Sequence, residues 1–210
     1  AANTAMALLG AAWIPMWFYL NLYLQQVLGL GAFESGAALL PMTIAIMILM
    51  VGVTGRLIGR TGFKRLLVVG LVVLAAGMVL FAGVPVGGSF GRDVLGPSLL
   101  VAVGMSLSYI PALIASLSGA APEESGLAAG LVNTSYQVGS AIGLAVVTAV
   151  ALGVGDGTSI GALNDGYRAG FLTAAAIAAA AALVAIFAIH DPRAAVSTEA
   201  ADAAPEQQAA

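Results

Sequence analysis

Six long apolar segments alternate with short polar connections over most of the chain. A helix that crosses a bilayer needs about 20 consecutive, mostly apolar residues, and the six segments approach or exceed that length. The connections contain clusters of Gly, Pro, Asn and Asp, which are typical of turns. The pattern therefore predicts an all-α, polytopic membrane protein whose six transmembrane helices cover approximately residues 6–28, 35–57, 66–83, 95–117, 127–154 and 167–189.

The apolar pattern stops near residue 190, where Asp191 and Pro192 follow the last segment. Proline cannot continue a helix, and the remaining sequence is too polar and alanine-rich to form a packed core. We expect one six-helix bundle over residues 1–190 and a disordered cytoplasmic tail over residues 191–210. The chain begins with Ala1 and has no charged stretch before its first apolar segment. We interpret this start as an internal cut or a processed end rather than as a signal peptide.

The composition also indicates a membrane protein. The chain is 60% apolar and 8% charged, whereas soluble domains carry about 25% charged residues. Its mean hydropathy is +1.03. No broad basic face is present, which argues against nucleic acid as a partner. The absence of cysteine excludes disulfides and thiolate metal sites. Because no G-x-x-x-x-G-K motif or metal-spaced histidine set occurs, we expect neither enzyme activity nor a cofactor.

Positive charge is concentrated in the connection between the second and third spans. Arg56, Arg60, Lys64 and Arg65 supply four of the seven basic residues of the chain. Lys and Arg accumulate in short cytoplasmic loops, and an even number of spans places this connection on the same side as both termini. We therefore expect a multi-pass protein of the cell (inner or plasma) membrane with both termini in the cytoplasm.

This basic connection resembles the loop signature G-x-L-a-D-R-x-G-R-K of the major facilitator superfamily. Gly59 replaces the acid of the signature and Phe63 replaces one of its bases, while the matching residues are Gly55, Leu57, Arg60, Gly62 and Lys64. The superfamily repeats this loop in each half, and the second copy is commonly degraded. The resemblance therefore implies that the six helices form the C-terminal half of a major facilitator fold.

The glycines of the same connection predict a tight turn where two helix ends approach closely. Together with the resemblance, this predicts a cytoplasmic gating loop formed by Gly55, Arg56, Arg60, Gly62, Lys64 and Arg65. The alternative is that the basic residues only set the orientation of the chain in the membrane.

A second resemblance covers residues 104–147 and 18–41. These segments are similar to the fourteen-span drug/proton antiporter branch, with its proline-containing span, P-x-E-x-x-G-like turn and glycine-rich span. Tyr136 stands where an arginine is often found, and the matching residues are Pro122, Glu123, Gly126, Ala129, Gly130, Leu131, Asn133, Gly139 and Gly143. The resemblance implies proton-driven multidrug efflux by alternating access. Its implied partners are the lipid bilayer, an N-terminal half of the same transporter and a small amphipathic substrate.

Two amides share one face of the fifth span. At 100° per residue, Asn133 and Gln137 fall within an arc of about 80° together with Gly126, Gly130, Ser140 and Leu144. Gly139 and Gly143 form a G-x-x-x-G pair on another face. Amides in hydrocarbon are costly without partners, so the polar face should line the bundle interior or a water-filled cavity. The alternative is that the amides only bridge helices. The residues assigned to helix packing are Gly126, Gly130, Gly139 and Gly143.

The first and fourth spans supply further candidates at helical spacing. Aromatic surface beside an amide suits a weakly specific, amphipathic ligand. Packing or an interfacial position is the alternative for each aromatic residue, and filling of the core is the alternative for methionine. The candidate substrate-binding residues are Trp17, Asn21, Gln25, Met105, Tyr109, Asn133 and Gln137.

The middle third of every predicted span lacks Asp, Glu, Lys, Arg and His. Coupling to protons requires a titratable group within the membrane, so we expect the proton carrier outside this segment. Two other functions remain open. A facilitator-type importer of metabolites would need fixed charged partners for its substrate, and a non-transporting membrane scaffold would use the polar faces only to join helices.

Overall fold

The computed structural model describes residues 1–157 and 159–189. Six of its helical stretches are long and apolar enough to cross a membrane, which confirms the six predicted spans and the all-α class. The predicted disordered tail, residues 191–210, lies outside the described residues.

Within the described residues, the six spans contain seven α-helices, because a π-helical turn divides the second span. The first span is α1 (Ala2–Leu22) followed by a π-helical turn (Tyr23–Val27). The second is α2 (Ala32–Leu49), a π-helical turn (Met50–Thr54) and α3 (Gly55–Thr61). The others are α4 (Phe63–Phe81), a π-helical turn (Phe90–Val94) with α5 (Leu95–Leu117), a 3-10 turn (Pro122–Glu124) with α6 (Ser125–Val154), and α7 (Ile160–Ala188).

The basic connection is not the loop that the sequence predicted. Residues 55–61 form α3, and α4 begins at Phe63, so Gly62 is the one residue between the two helices. Two side chains bond to carbonyls one turn earlier in the same helical stretch: Arg56 Nη1 donates to Gly52 O at 2.7 Å, and Thr61 Oγ1 donates to Leu57 O at 2.9 Å. A helix that leaves the hydrocarbon needs no apolar surface, and the end of the apolar pattern therefore does not mark the end of the helix.

α7 also begins earlier than predicted, at Ile160 rather than near residue 167. Ser159 is its N-cap, and its hydroxyl oxygen accepts a hydrogen bond from Ala162 N at 3.1 Å, which satisfies one of the free donors of the first turn. The start of α2 has a comparable contact, because Glu34 Oε2 accepts from Gly31 N at 3.0 Å.

α1 lies at the centre of the bundle and packs against α5, α6 and α7, while α4 packs against α5 and α7. Phe81 and Phe171, both fully buried, stack with ring centroids 5.3 Å apart between α4 and α7. α2 contacts mainly α5 and is the most exposed span. Between membrane helices, such packing and interhelical hydrogen bonds supply the stabilisation that water-driven burial supplies in soluble proteins.

The bundle has two ends, which we name by their contents. The terminal end holds Ala1, the Gly62 turn, the connection between α5 and α6, and Ile189. The far end holds the connections between α1 and α2, α4 and α5, and α6 and α7. The four basic residues of the 56–65 segment therefore lie at the same end as the N-terminus of the described chain.

Candidate functional site

α1 and α6 run parallel and meet at glycines. A Cβ atom on Gly139 would overlap the carbonyl oxygen of Ala7, and one on Gly143 would overlap that of Ala11. Gly10 of α1 is similarly tight, because its Cβ would lie 2.6 Å from Tyr136 O. These glycines bring the two backbones into direct contact and fix which face of α6 points into the bundle.

Gly126 and Gly130 do not pack in this way, which corrects their assignment to helix packing. Among the described residues, no atom of another helix lies within 4 Å of a Cβ placed on either glycine, and both residues are exposed. They lie on the same side of α6 as the amides, about 100° or more around the helix from Gly139 and Gly143.

The two amides of α6 point away from the bundle. Asn133 and Gln137 are both exposed, and the hydrogen bonds of the described side chains do not include them. They therefore do not bridge helices of this bundle. Leu131, Val138 and Ile142 are also exposed, but at 100° per residue they lie about 100–180° around α6 from the amides. The amides therefore lie at the edge of the exposed apolar face of α6 and not within it.

Trp17 and Asn21 line an open cavity of about 370 Å³ between α1 and α2. Ile14, Phe18 and Leu39 complete its lining. Gln25, which is exposed, donates from Nε2 to Asn21 Oδ1. Gln25 does not line the cavity, and the Asn21 amide nitrogen remains free to face a ligand, so the cavity offers a hydrogen-bond donor beside an indole ring.

The α5 candidates lie deeper in the bundle. Met105 is buried, and Tyr109 is half-buried. The Tyr109 ring contacts Tyr136 of α6 edge-on, with centroids 6.0 Å apart. Tyr136 thus joins α5 to α6 by an aromatic contact.

The candidate residues form two groups rather than one site. Tyr19 of α1 hydrogen-bonds Thr148 of α6, and Thr148 lies well beyond Gln137 along the helix. At 1.5 Å per residue, the α1 candidates are offset from Gln137 by on the order of 15 Å along the bundle axis. Trp17, Asn21 and Gln25 thus lie toward the far end, whereas Tyr109, Asn133 and Gln137 lie toward the terminal end.

In the basic segment, only Gly62 has the backbone conformation of a glycine turn, with φ 81°. Gly55 and Gly59 are helical, and among the described residues nothing approaches their Cβ positions within 4 Å. Arg56, Arg60 and Arg65 are exposed, and Lys64 is half-buried. The described ion pairs join other residues, which leaves this basic surface open at the terminal end.

One polar contact between spans was missed by the sequence analysis. Thr54, buried in the π-helical turn of the second span, shares its hydroxyl proton between Leu49 O of the same span at 3.0 Å and Ser106 O of α5 at 3.1 Å. Ser106 in turn donates to Ala102 O at 2.7 Å and lies 3.4 Å from Ile46 O. Both residues are small and common in apolar spans, so the sequence offered no signal for this interhelical bond.

A second missed feature holds the connection after α4, and we name it the far-end clamp. Side chains from the π-helical turn after α1 and from α7 donate to three backbone carbonyls of this connection. The bonds join Tyr23 Oη to Pro85 O at 2.9 Å, Asn164 Nδ2 to Val84 O at 3.1 Å, and Arg168 Nε to Ala82 O at 2.6 Å. Arg168 also forms an ion pair with Asp165, in which Nη1 lies 3.7 Å from Oδ1.

Comparison with known proteins gives a consistent picture. The family model described as Major Facilitator Superfamily matches residues 2–144. The chain is 33% identical over 157 residues to the cephamycin export protein CmcT of Amycolatopsis lactamdurans, an alignment that covers 75% of this chain and 32% of that protein. It is 31% identical to the puromycin resistance protein pur8 of Streptomyces alboniger (78% of this chain, 34% of that protein). It is 28% identical to a multidrug resistance protein B homolog of Mycobacterium tuberculosis (70% and 27%). The chain thus spans about a third of the length of these relatives.

Proposed function

Because this chain belongs to the Major Facilitator Superfamily, we propose that it is the six-helix C-terminal half of a drug efflux transporter. In this proposal the whole protein exports antibiotics or similar amphipathic compounds in exchange for protons, by alternating access around a midplane cavity. The observation that carries the proposal is that several relatives aligned over 70% or more of this chain, among them CmcT and pur8, are named for antibiotic export or drug resistance.

The candidate residues would contribute one wall of the transport cavity. Asn133 and Gln137 are exposed on a span whose other face is fixed to α1. Amides on a membrane surface are costly unless water or another protein segment covers them. The remaining part of the transporter would supply that cover, and the cavity beside Trp17 and Asn21 would hold an aromatic or apolar portion of the substrate.

The proton carrier is proposed to lie in the remaining part of the transporter. Within the described residues, the middle third of each span contains no acidic, basic or histidine side chain. Without a carboxylate, imidazole or cationic side chain at that depth, these helices would bind substrate but would not themselves take up and release the coupling proton.

The orientation follows from the basic segment. Arg56, Arg60, Lys64 and Arg65 lie at the terminal end, and the positive-inside rule assigns that end to the cytoplasm. We place the transporter in the cell membrane with both ends of this segment cytoplasmic. The exposed guanidinium groups at the Gly62 turn would then act as a cytoplasmic gate by pairing with acidic groups of the other half in one state of the cycle.

Drug resistance of cells that express the complete gene tests the proposal. A susceptible bacterium should gain several-fold resistance to at least one amphipathic antibiotic, and a protonophore should abolish the energised efflux. The double variant Asn133→Ala/Gln137→Ala should lose most of this resistance at unchanged membrane abundance.

The matched control is Thr134→Ala, because Thr134 is exposed on the same helix but its hydroxyl bonds to Gly130 O of its own helix at 2.9 Å. If the complete gene confers no resistance to any drug of a broad panel although the protein reaches the membrane, the efflux function is wrong. Loss of membrane abundance in the double variant, but not in the control, would show that the amides serve folding instead.

A further inference from the structure

A second cavity, of about 300 Å³, lies between α1, α6 and α7 at the far end. It is separate from the cavity beside Trp17, since Phe18 is the only residue named in both linings. Its open side is flanked by Phe18 and Leu152, which are 46% and 68% exposed. The lining consists of Phe18, Tyr19, Leu22, Gln26, Thr148, Ala151, Leu152, Gly155, Leu163, Gly166 and Tyr167.

Two tyrosines determine which hydrogen-bonding groups this cavity presents. The Tyr167 hydroxyl donates to Gln26 Oε1 at 2.5 Å, and the Tyr19 hydroxyl donates to Thr148 Oγ1 at 3.1 Å. The two rings contact each other, with centroids 5.5 Å apart. Both phenolic protons are therefore used within the protein. The groups that remain free to donate are the Gln26 amide and the Thr148 hydroxyl.

The cavity has no charge of its own among the described lining residues. Around its donors the surface is aromatic and aliphatic. A ligand that fits must therefore combine hydrogen-bond acceptors with a neutral, apolar body. A free carboxylate or ammonium would enter without a partner and would lose its hydration.

The depth of the cavity in the membrane further restricts the class of ligand that it can bind. α6 contains 30 residues, about 45 Å at 1.5 Å per residue, which matches the full thickness of a bilayer with its interfacial regions. Thr148 lies about 9 Å from the far end of that helix. This is the boundary between hydrocarbon and headgroups, where the glycerol ester carbonyls of phospholipids are found.

We propose that this cavity binds one glycerophospholipid from the leaflet at the far end. The ester carbonyls accept hydrogen bonds from Gln26 Nε2 and Thr148 Oγ1, and an acyl chain lies against Phe18, Leu22 and Leu152. The headgroup stays in the interfacial water. The lipid fills the gap between α1, α6 and α7 that side chains leave open, and it is distinct from the transported compound.

Photocrosslinking in the complete transporter tests this site. The protein is reconstituted with phosphatidylethanolamine that carries a diazirine near the ester end of one acyl chain, irradiated and digested, and the labelled peptides are mapped. Label should appear in segments 18–26 and 148–152. The variant Leu152→Trp, which places an indole in the cavity mouth from an exposed position, should lower this label at least five-fold, and so should Gln26→Leu/Thr148→Val.

The controls are Leu172→Trp and Thr134→Val, which make the same changes at exposed positions away from the cavity. A probe with ether in place of ester linkages should label 148–152 several-fold less than the ester probe, since it lacks the carbonyl acceptors. Equal labelling of the parent and of folded Leu152→Trp would overturn the proposal, as would label confined to other segments. A saturating drug that displaces the lipid from 148–152 would also overturn it, because the cavity would then be part of the transport route.

Discussion

At the scale of single residues, the glycines of α6 divide into two kinds that the sequence does not distinguish. Gly139 and Gly143 are covered by the α1 backbone, whereas Gly126 and Gly130 are exposed. Helical spacing correctly places each pair on a face of its own. It cannot tell which face has a neighbour, because that depends on how the other helices pack.

This difference predicts opposite effects for one substitution. Gly143→Ala forces a methyl group onto Ala11 O and should lower the free energy of unfolding by about 1–3 kcal/mol. Gly130→Ala adds a methyl group in open space and should leave stability unchanged or raise it by up to about 1 kcal/mol, since alanine is the better helix former. Thermal unfolding of both variants in detergent, beside the parent, measures the effect. Equal midpoints would mean that the α1–α6 contact is looser than described.

The turn at Gly62 gives a second pair of variants. Its φ of 81° and ψ of 159° belong to a region that is essentially restricted to glycine, and another residue there costs about 1–3 kcal/mol. Gly62→Ala should therefore lower the unfolding midpoint, while Gly59→Ala, in the helix of α3, should not. A Gly62→Ala protein that unfolds at the parent temperature would contradict this description of the turn.

At the scale of elements, hydropathy predicted all six spans, because a long apolar run in lipid has no alternative to a helix. The ends of the helices were predicted less well. The charged segment before Gly62 and the polar segment 160–166 are helical although they were predicted as connections. The far-end clamp could not be predicted either, because its acceptors are backbone carbonyls, which every residue carries.

The far-end clamp should limit the mobility of the connection between α4 and α5. Arg168→Met removes the donor to Ala82 O and leaves that carbonyl without its partner, a loss of about 1–3 kcal/mol for a buried group. Because Arg168 is itself partly exposed, we expect the lower end of that range. Amide hydrogen exchange of residues 82–88 should accelerate several-fold in this variant. Arg65→Met, at the opposite end, is the control, and equal exchange in the two variants would show that the clamp does not hold the connection.

At the scale of the whole molecule, the chain presents a fixed inner side and an open outer side. α1, α4, α5 and α7 bury their contacts, while α2 and one face of α6 remain exposed. The sequence identified the polar residues of that open face, but it did not show that the α1 and α6 candidates lie far apart along the axis. Distances between spans depend on their register, and helical periodicity within one span contains no information about it.

The proposed orientation can be measured with engineered thiols, since this chain contains no cysteine. In the complete protein, with any cysteines elsewhere replaced, Asp156→Cys should react with a membrane-impermeant maleimide in intact cells. Thr61→Cys should react only after permeabilisation, because the proposed orientation places the basic segment in the cytoplasm. Both positions are exposed, so access to the reagent depends on the side of the membrane. The reverse pattern would invert the orientation.

The contact of α1 carbonyls with α6 glycines has a consequence for motion. Backbones that touch at two successive turns have no freedom to slide or roll against each other without a clash. In the proposed transport cycle, α1 and α6 should therefore tilt together as one rigid unit. Spin labels on Phe18 and Val150 should keep a constant separation in every state of the transporter, while the distance from either label to the rest of the protein changes.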